Sequence, residues 1–368
     1  MSAEPRTVSR QALPSPLALA RPEILELEPY SHASWEPQLE RLHANELPWR
    51  SALDATQAGL NRYPEPQPRA LVEGLAGLYG VPPAELLVGR GSDEGIDLLT
   101  RAFCRAGEDS VIVCPPTFGM YSVAARIQGA GVIRVPLLDA EHGFALDVPQ
   151  VLAHCDARVK LVYVCSPNNP TGNRIDAGSL LALADAIAGR ALLVLDEAYV
   201  EFSGAPSLAN EVAGRPYLAV LRTLSKAHGL AGARCGALIA APEIVSLLRK
   251  IIPPYAMTQP TIESVLAALE PAQLSAAAER VALIRTERAR LAEHLTALPG
   301  VIRVFPSDAN FLLVELRDAS SAFARARTAG LLVRDVRAQP GLGRHLRITV
   351  GTPEQNARLI AALAREPA

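Results

Sequence analysis

Lysine is scarce in this chain. Of its 36 basic residues only three, Lys160, Lys226 and Lys250, are lysines, so chemistry that needs a primary amine has three candidates. The excess of arginine reads as a compositional bias of the source. A net charge of −2 provides no basic surplus, so neither a nucleic-acid nor a membrane-surface partner is implied. No apolar run is long enough to span a bilayer. Residues 1–10 hold Glu4 and Pro5 and lack an apolar stretch, which is unlike a secretory signal. The five cysteines, Cys104, Cys114, Cys155, Cys165 and Cys235, form no CxxC pair and leave one odd, as expected for reduced, mostly buried thiols of a cytoplasmic protein. The seven histidines show no zinc-ligand spacing, so no metal is expected. Gly89-Arg90-Gly91-Ser92-Asp93-Glu94 lacks the third glycine of GxGxxG, which disfavours a dinucleotide-binding fold.

What is present points to a globular α/β chain. At 368 residues, 49% apolar and 20% charged, there is enough material for two domains and a large core. Residues 1–40, rich in Pro, Ala and Leu, read as an N-terminal arm. Short apolar runs predict strands near 86–88, 111–114, 132–135, 161–165, 192–195, 218–221 and 236–240. Helical patterns lie among them near 94–105, 119–128 and 178–187, with another at 244–251. Apolar strands alternating with helices predict a mostly parallel seven-stranded sheet covered on both faces, in a large domain over 41–260. After Pro253-Pro254 the pattern changes. A long helix near 273–298 and strands near 301–304, 311–315, 331–334 and 346–350 follow, with helices near 322–328 and 353–365. They predict a smaller α+β C-terminal domain over 261–368.

Ligands on such sheets sit at the carboxyl ends of the strands, and the chain places polar residues there. Ser92 and Asp93 follow the first strand and open a helix, where free N–H groups suit a phosphate and equally suit an ordinary N-cap. Phe118, in Pro115-Pro116-Thr117-Phe118, stands where it can stack on a flat ring or fill the core. Asn169 lies in a rigid turn, Ser166-Pro167-Asn168-Asn169-Pro170-Thr171-Gly172, with a candidate cis bond at Asn169-Pro170. Asp196 closes the fifth strand, where a buried carboxylate needs a partner. A protonated pyridine nitrogen is one, an arginine another. Lys226 in Thr223-Leu224-Ser225-Lys226, with Arg234 eight residues on, has the elements of a Schiff-base site for pyridoxal phosphate: an amine, flanking hydroxyls and a guanidinium for the phosphate. Arg347 and Arg334, on predicted strands of the small domain, are candidate carboxylate or phosphate anchors.

In this order, the motifs resemble those of the fold-type I pyridoxal-phosphate aminotransferases, class II subgroup, and within them the histidinol-phosphate aminotransferase family. The resemblance runs from Leu27-Glu28-Pro29-Tyr30 through Asn45-Glu46, Arg62-Tyr63-Pro64, Gly91-Ser92-Asp93-Glu94, Asn169-Pro170-Thr171-Gly172 and Asp196-Glu197-Ala198-Tyr199. It continues through Ser225-Lys226 and Arg234 to Asn310-Phe311 and Leu346-Arg347-Ile348-Thr349-Val350-Gly351. It implies pyridoxal 5′-phosphate as cofactor, with Lys226 as its Schiff-base lysine. Asp196 would pair with the ring nitrogen, Asn169 and Tyr199 with the ring oxygen, and Phe118 would stack on the ring. Ser92, Asp93, Thr223, Ser225 and Arg234 would form the phosphate cup, with Tyr63 reaching it from the second subunit of a homodimer. Tyr30, Asn45, Asn310, Arg334 and Arg347 would line the substrate site.

The implied reaction is transamination of histidinol phosphate with 2-oxoglutarate, giving imidazole acetol phosphate and glutamate, in histidine biosynthesis. Lys226 would act as the base, and Asp196 and Tyr199 would complete the catalytic set. Two departures stand out. Many relatives carry Tyr where Phe118 stands, which keeps the stacking and loses a hydroxyl. The flanks of Asn45 in His43-Ala44-Asn45-Glu46-Leu47 differ from the commoner pattern. Alternatives on the same scaffold are an aromatic amino-acid aminotransferase, a phospho-amino-acid decarboxylase and a non-catalytic cofactor-binding protein.

Overall fold

A computed structural model describes residues 13–36, 38–140 and 143–364 of the chain. Runs of Val, Leu and Ile form the strands, which in chain order are β1 (Leu86–Gly89), β2 (Ser110–Val113), β3 (Gly131–Arg134), β4 (Leu138–Ala140), β5 (Gly143–Ala145), β6 (Val159–Cys165), β7 (Leu192–Asp196), β8 (Leu218–Thr223), β9 (Gly236–Ile239), β10 (Val301–Val304), β11 (Phe311–Leu316), β12 (Arg334–Asp335) and β13 (His345–Thr349). The helices are α1 (Pro22–Leu25), α2 (Arg69–Tyr79), α3 (Ser92–Phe103), α4 (Met120–Gln128), α5 (Val148–His154), α6 (Ala177–Ile187), α7 (Pro242–Arg249), α8 (Gln259–Ala268), α9 (Pro271–Thr296), α10 (Ala319–Thr328) and α11 (Pro353–Ala364).

Seven strands make the large sheet, in the order β1-β9-β8-β7-β6-β2-β3. The pairs from β8 across to β3 are parallel, and only β9 runs against its neighbours. The mostly parallel architecture therefore matches the expectation. Side chains alternate across the sheet, as the two-residue period of a strand requires. From β7, Leu193 and Leu195 join one core layer with Val162 and Val164 of β6, beneath α2, α5 and α6. Leu192 and Val194 join the opposite layer with Leu161, Tyr163 and Cys165, beneath α3, α4 and α7. A strand buried on both faces has no polar side to show, which is why these segments read as continuous apolar runs.

The second sheet, β10-β11-β13-β12, is antiparallel. Its core joins Leu312, Val314, Leu346 and Ile348 to Leu291 and Leu295 of α9, Ala322 and Ala326 of α10, and Leu359 and Leu363 of α11. Helix α9 opens on Pro271, where a missing N–H is harmless. Nearer its start, Val281 and Ile284 pack against Tyr199, Phe202 and Phe311. One helix of 26 residues, roughly 39 Å long, thus packs on the small sheet and reaches the turn that follows β7.

Several boundaries differ from the sequence reading. The strand expected at 331–334 is only the two-residue β12, because Gly330 takes a left-handed turn (φ 75°) just before it. The long helix sits two residues earlier than expected, and β3 one residue earlier. The hairpin β4–β5 and helices α2, α5 and α8 were not anticipated. Residue 365, expected in the last helix, lies outside the described residues.

Gly236 in β9 is flanked by Thr223 of β8 and Gly89 of β1. A Cβ there would meet the carbonyl oxygen of Arg222 at 2.7 Å and the Gly91 backbone at 2.8 and 2.9 Å. These are backbone atoms, so no side chain can swing aside. Gly236→Ala should lower stability by about 1–3 kcal/mol, as overpacking does, read as a fall in denaturant midpoint. Gly232→Ala, where nothing among the described residues lies within 4 Å, should be close to neutral.

Candidate active site

Strands β2, β6, β7 and β8 point their carboxyl ends at one cavity of about 540 Å³. Each end is followed by a loop that delivers polar groups, and β12 and β13 of the small sheet close the far wall. The cavity gathers Ser92, Asp93, Phe118, Asn169, Asp196, Tyr199, Thr223, Ser225, Lys226, Arg234, Arg334 and Arg347. Twelve side chains expected from sequence, spread over more than 250 residues, therefore face one space.

The loop after β2 and the loop after β6 are tied together by Asn168. Its amide donates to the Pro116 carbonyl and to Thr171 Oγ1, both at 2.8 Å, and its oxygen accepts from Thr117 Oγ1 at 2.8 Å. Pro115–Pro116, Ser166–Pro167 and Asn169–Pro170 are cis, the last as anticipated. Asn168 is thus held by its neighbours, whereas Asn169 faces the cavity and accepts a hydrogen bond from Arg347 Nη1. Phe118 is half-buried on the cavity wall, edge-on to Tyr121 at 5.6 Å.

At one end of the cavity lies a cup of donors. Gly91 precedes α3 in a left-handed conformation (φ 83°), with no side-chain cap on the helix, so the first N–H groups of α3 are open. A Cβ on Gly91 would meet Arg234 Nη2 at 2.9 Å. Arg234 is itself left-handed (φ 54°), and its guanidinium reaches Ser225 Oγ at 3.3 Å and Asp93 Oδ2 at 3.5 Å. Thr223 Oγ1 donates to Ser225 Oγ at 3.0 Å. Helix N–H groups, hydroxyls and a guanidinium gathered at one end of the cavity make an anion site.

Across the cavity, Arg334 and Arg347 are directly paired in the β12–β13 ladder, so their side chains leave the same face. Burial, not offset by the phenol of Tyr199, lowers the proton affinity of Arg347, and the neighbouring Arg334 lowers it further. Among the described residues its buried Nε has no hydrogen-bond partner. Two adjacent guanidinia that repel one another favour an anion between them.

Lys226 projects into the open cavity, its Nζ 5.6 Å from the centre of the Tyr199 ring. The walls take away part of its hydration, and this, followed by the charge of Arg347, lowers its pKa below that of an ordinary lysine. Asp196 is 2% exposed. Its Oδ2 accepts from Tyr121 Oη at 2.7 Å and its Oδ1 from the Ala198 N–H at 3.1 Å. Burial raises its pKa from 3.8 to about 6, against the lowering effect of those two donors. Among the described residues no cation pairs with it.

Tyr30, Asn45, Tyr63 and Asn310 do not line this cavity. Tyr30 and Tyr63 are exposed and belong to an aromatic cluster in which Tyr63 stacks on Tyr255 at 4.7 Å. Asn45 is left-handed (φ 57°), and the backbone carbonyl of Asn310 accepts from the Val350 N–H at 2.9 Å. Sequence reasoning missed Tyr121, together with Cys165, Val336 and Gln339 of the lining. Tyr121 could have been found: it stands three residues beyond Phe118 on a helical pattern, one turn from the strand end.

The position of Asp196 gives a pH prediction for the chain without added ligand. The unfolded chain releases this proton near pH 3.8 and the folded chain near 6. Stability therefore falls as pH rises through that window, and the loss is complete above it. It amounts to on the order of 3 kcal/mol. Asp196→Asn keeps the shape and removes the charge. It should raise the unfolding free energy at pH 8 by up to that amount, read from denaturant titration, with the gain shrinking toward zero by pH 4. A variant no more stable than wild type at pH 8 would contradict the assignment.

The aminotransferase class I and II family model matches residues 39–363. Among curated proteins the chain is 52% identical to histidinol-phosphate aminotransferase of Stenotrophomonas maltophilia (strain R551-3), over 95% of this chain and 96% of that protein. It is 48% identical to the enzyme of the same name from Xylella fastidiosa (strain 9a5c), again over 95% and 96%. A solved structure of histidinol-phosphate aminotransferase from Sinorhizobium meliloti in complex with pyridoxal-5′-phosphate aligns with a TM-score of 0.74 at 28% identity, covering 83% of this chain and 82% of that one. With this coverage and the cavity geometry together, the chain belongs to the aminotransferase class I and II family.

Proposed function

We propose that the cavity binds pyridoxal 5′-phosphate and that the chain transfers the amino group of histidinol phosphate to 2-oxoglutarate, yielding imidazole acetol phosphate and glutamate for histidine biosynthesis. One observation carries the reading. Asp196 is a buried carboxylate that opens onto the cavity, satisfied among the described residues by neutral donors, Tyr121 Oη and the Ala198 N–H. A protonated pyridine nitrogen supplies the cation it lacks. The rest of the donor set fits the same group. The donors at the α3 end of the cavity suit a phosphate, with Ser92, Asp93, Thr223, Ser225 and Arg234 around it. Phe118 covers a ring face, and Asn169 and Tyr199 offer an amide and a phenol to the ring oxygen. The shared name of these two relatives supports the substrate.

When bound, the cofactor supplies an electron sink conjugated to the carbon that carries the substrate nitrogen. Lys226 would hold the resting cofactor through its amine, and the freed amine would take the proton from that carbon and deliver it on the cofactor side rather than back to the same carbon. Its lowered pKa leaves more free amine near neutral pH than an ordinary lysine has, which a base requires. Asp196 keeps a proton on the ring nitrogen. Arg334 and Arg347 bind the phosphate of one substrate and the carboxylates of the other.

The proposal includes a homodimer in which Tyr63 contacts the cofactor phosphate of the partner. Leu42, Leu47, Trp49 and Leu53, exposed by 93, 70, 76 and 94%, precede Tyr63 in the same segment and support a covered surface there. A cytoplasmic location agrees with five free, buried cysteines. We divide the chain into an arm over 1–40, a cofactor-binding domain over 41–260 and a smaller domain over 261–368.

Borohydride reduction of the loaded protein, followed by peptide mapping, should place a phosphopyridoxyl label on Lys226. A label confined to Lys160 or Lys250 would end the reading. Lys226→Ala should lose at least about 10²–10⁴-fold in kcat, and wild type should turn over histidinol phosphate far faster than phenylalanine or threonine phosphate. Sedimentation velocity should give twice the 39.2 kDa chain mass; a monomer at micromolar concentration would refute the shared site.

A further inference from the structure

Resting on that functional reading, we infer that Tyr121 is a positioning residue for the reaction: its hydroxyl fixes and keeps ionised the Asp196 carboxylate that faces the ring nitrogen. Tyr121 lies on α4 and is fully buried. Its Oη donates to Asp196 Oδ2 at 2.7 Å, the shorter of the two side-chain oxygen contacts of that carboxylate. The ring is held flat against Tyr163 of β6, with centroids 4.9 Å apart and planes 5° from parallel. Tyr163 is anchored in turn: its hydroxyl meets Thr100 Oγ1 at 2.9 Å and the Ile96 carbonyl at 3.1 Å. Phe118 braces Tyr121 from the cavity side. The hydroxyl therefore has one place to be, and the carboxylate plane follows it.

A neutral donor does here what a cation would do badly. An arginine or lysine at this position would pair with Asp196 permanently and compete with the ring nitrogen. A phenol lowers the cost of the buried charge and leaves it unneutralised. The other titratable or charged groups that face Asp196 are Cys165 from β6, Asp93 from α3, Tyr199 from the turn after β7 and Lys226 from the loop after β8. Asp93 opposes its ionisation, and Lys226, which favours it, acts more weakly than the Tyr121 hydrogen bond; the charge of Asp196 in turn raises the Cys165 thiol and the Tyr199 phenol, which stay neutral beside it.

The test is Tyr121→Phe, which keeps the stack on Tyr163 and removes the donor, with Tyr163→Phe as a control that leaves Asp196 untouched. In the unloaded chain, carboxyl ¹³C NMR should move the Asp196 midpoint from about 6 in wild type to a higher pH in Tyr121→Phe and leave it in place in Tyr163→Phe. In the loaded enzyme, the ¹⁵N signal of labelled cofactor should shift toward the unprotonated ring nitrogen. The acid limb of kcat/KM should rise, and kcat should fall about 10- to 100-fold while KM changes little. Folded Tyr121→Phe with an unmoved Asp196 midpoint and ring-nitrogen signal would overturn the inference, even if kcat fell. If Tyr121→Phe does not fold, 3-fluorotyrosine at 121 keeps the shape and strengthens the donor. It should move the Asp196 midpoint downward, and no movement would overturn the inference equally. If wild type itself takes up no cofactor on Lys226, the functional reading fails, and the NMR midpoint still decides the Tyr121–Asp196 coupling.

Discussion

A buried carboxylate without a cation is the constraint from which this site is organised. β7 is apolar on both faces and lies in the middle of the large sheet, so Asp196 is reached only at its carboxyl end. In the ladder it stands beside Cys165 of β6 and Leu221 of β8, neither of which can neutralise it. The next residue shows that the fold can satisfy such a charge when it needs to. Glu197 is equally buried, but it points to the other side of the sheet, where Arg222, the Ser207 hydroxyl and the Leu208 N–H meet it. Two adjacent carboxylates thus have opposite fates, and the one left unpaired is the one that faces the cavity. Burial without a partner persists when something outside the chain completes it.

The parallel sheet explains how the remaining groups converge. Four neighbouring strands running the same way deliver their loops to one edge, so residues far apart in sequence need no special contacts to meet there. Asn168 then joins two of those loops into one wall. The cationic wall comes from elsewhere. Arg334 and Arg347 belong to the small sheet, and α9 packs against both that sheet and the Tyr199 region that borders the cavity. The hydrogen bond from Arg347 to Asn169 closes the ring between the two sheets.

Much of this was legible in the chain. The seven-strand pattern could be read because buried parallel strands have to be apolar on both faces. The polar residues at their ends stood out against that background: Ser92, Asn169, Asp196 and Lys226 all reach the cavity. The antiparallel placement of β9 was not legible, because strand direction leaves no mark on an apolar run of four residues. Helices α2 and α8 were overlooked, although α2 ends on the left-handed Gly80 that commonly stops a helix. Tyr121 was hidden for another reason. A tyrosine at helical spacing from apolar neighbours looks like core, and its packing is core packing. Only its hydroxyl belongs to the site, and a sequence pattern does not give the direction of one oxygen.

The charges of the cavity do not cancel one another, although they lie within it together. Arg234 is engaged at one end by Ser225 and Asp93, Arg347 at the other by Asn169, and Asp196 lies beneath, held by a phenol and a backbone amide. Each is kept in place by a weak or neutral partner that leaves its charge largely unmet. A ligand that restores balance must therefore carry an anion at the α3 end, a cation over Asp196 and a further anion near the two arginines. A molecule bearing only one of these charges leaves the others desolvated and unpaired, which opposes its binding. The pattern also separates the tasks of holding and reacting. The strong electrostatic contacts lie at the two ends and the floor, while the central position belongs to Lys226, whose amine is made less basic by the same walls that shape the cavity.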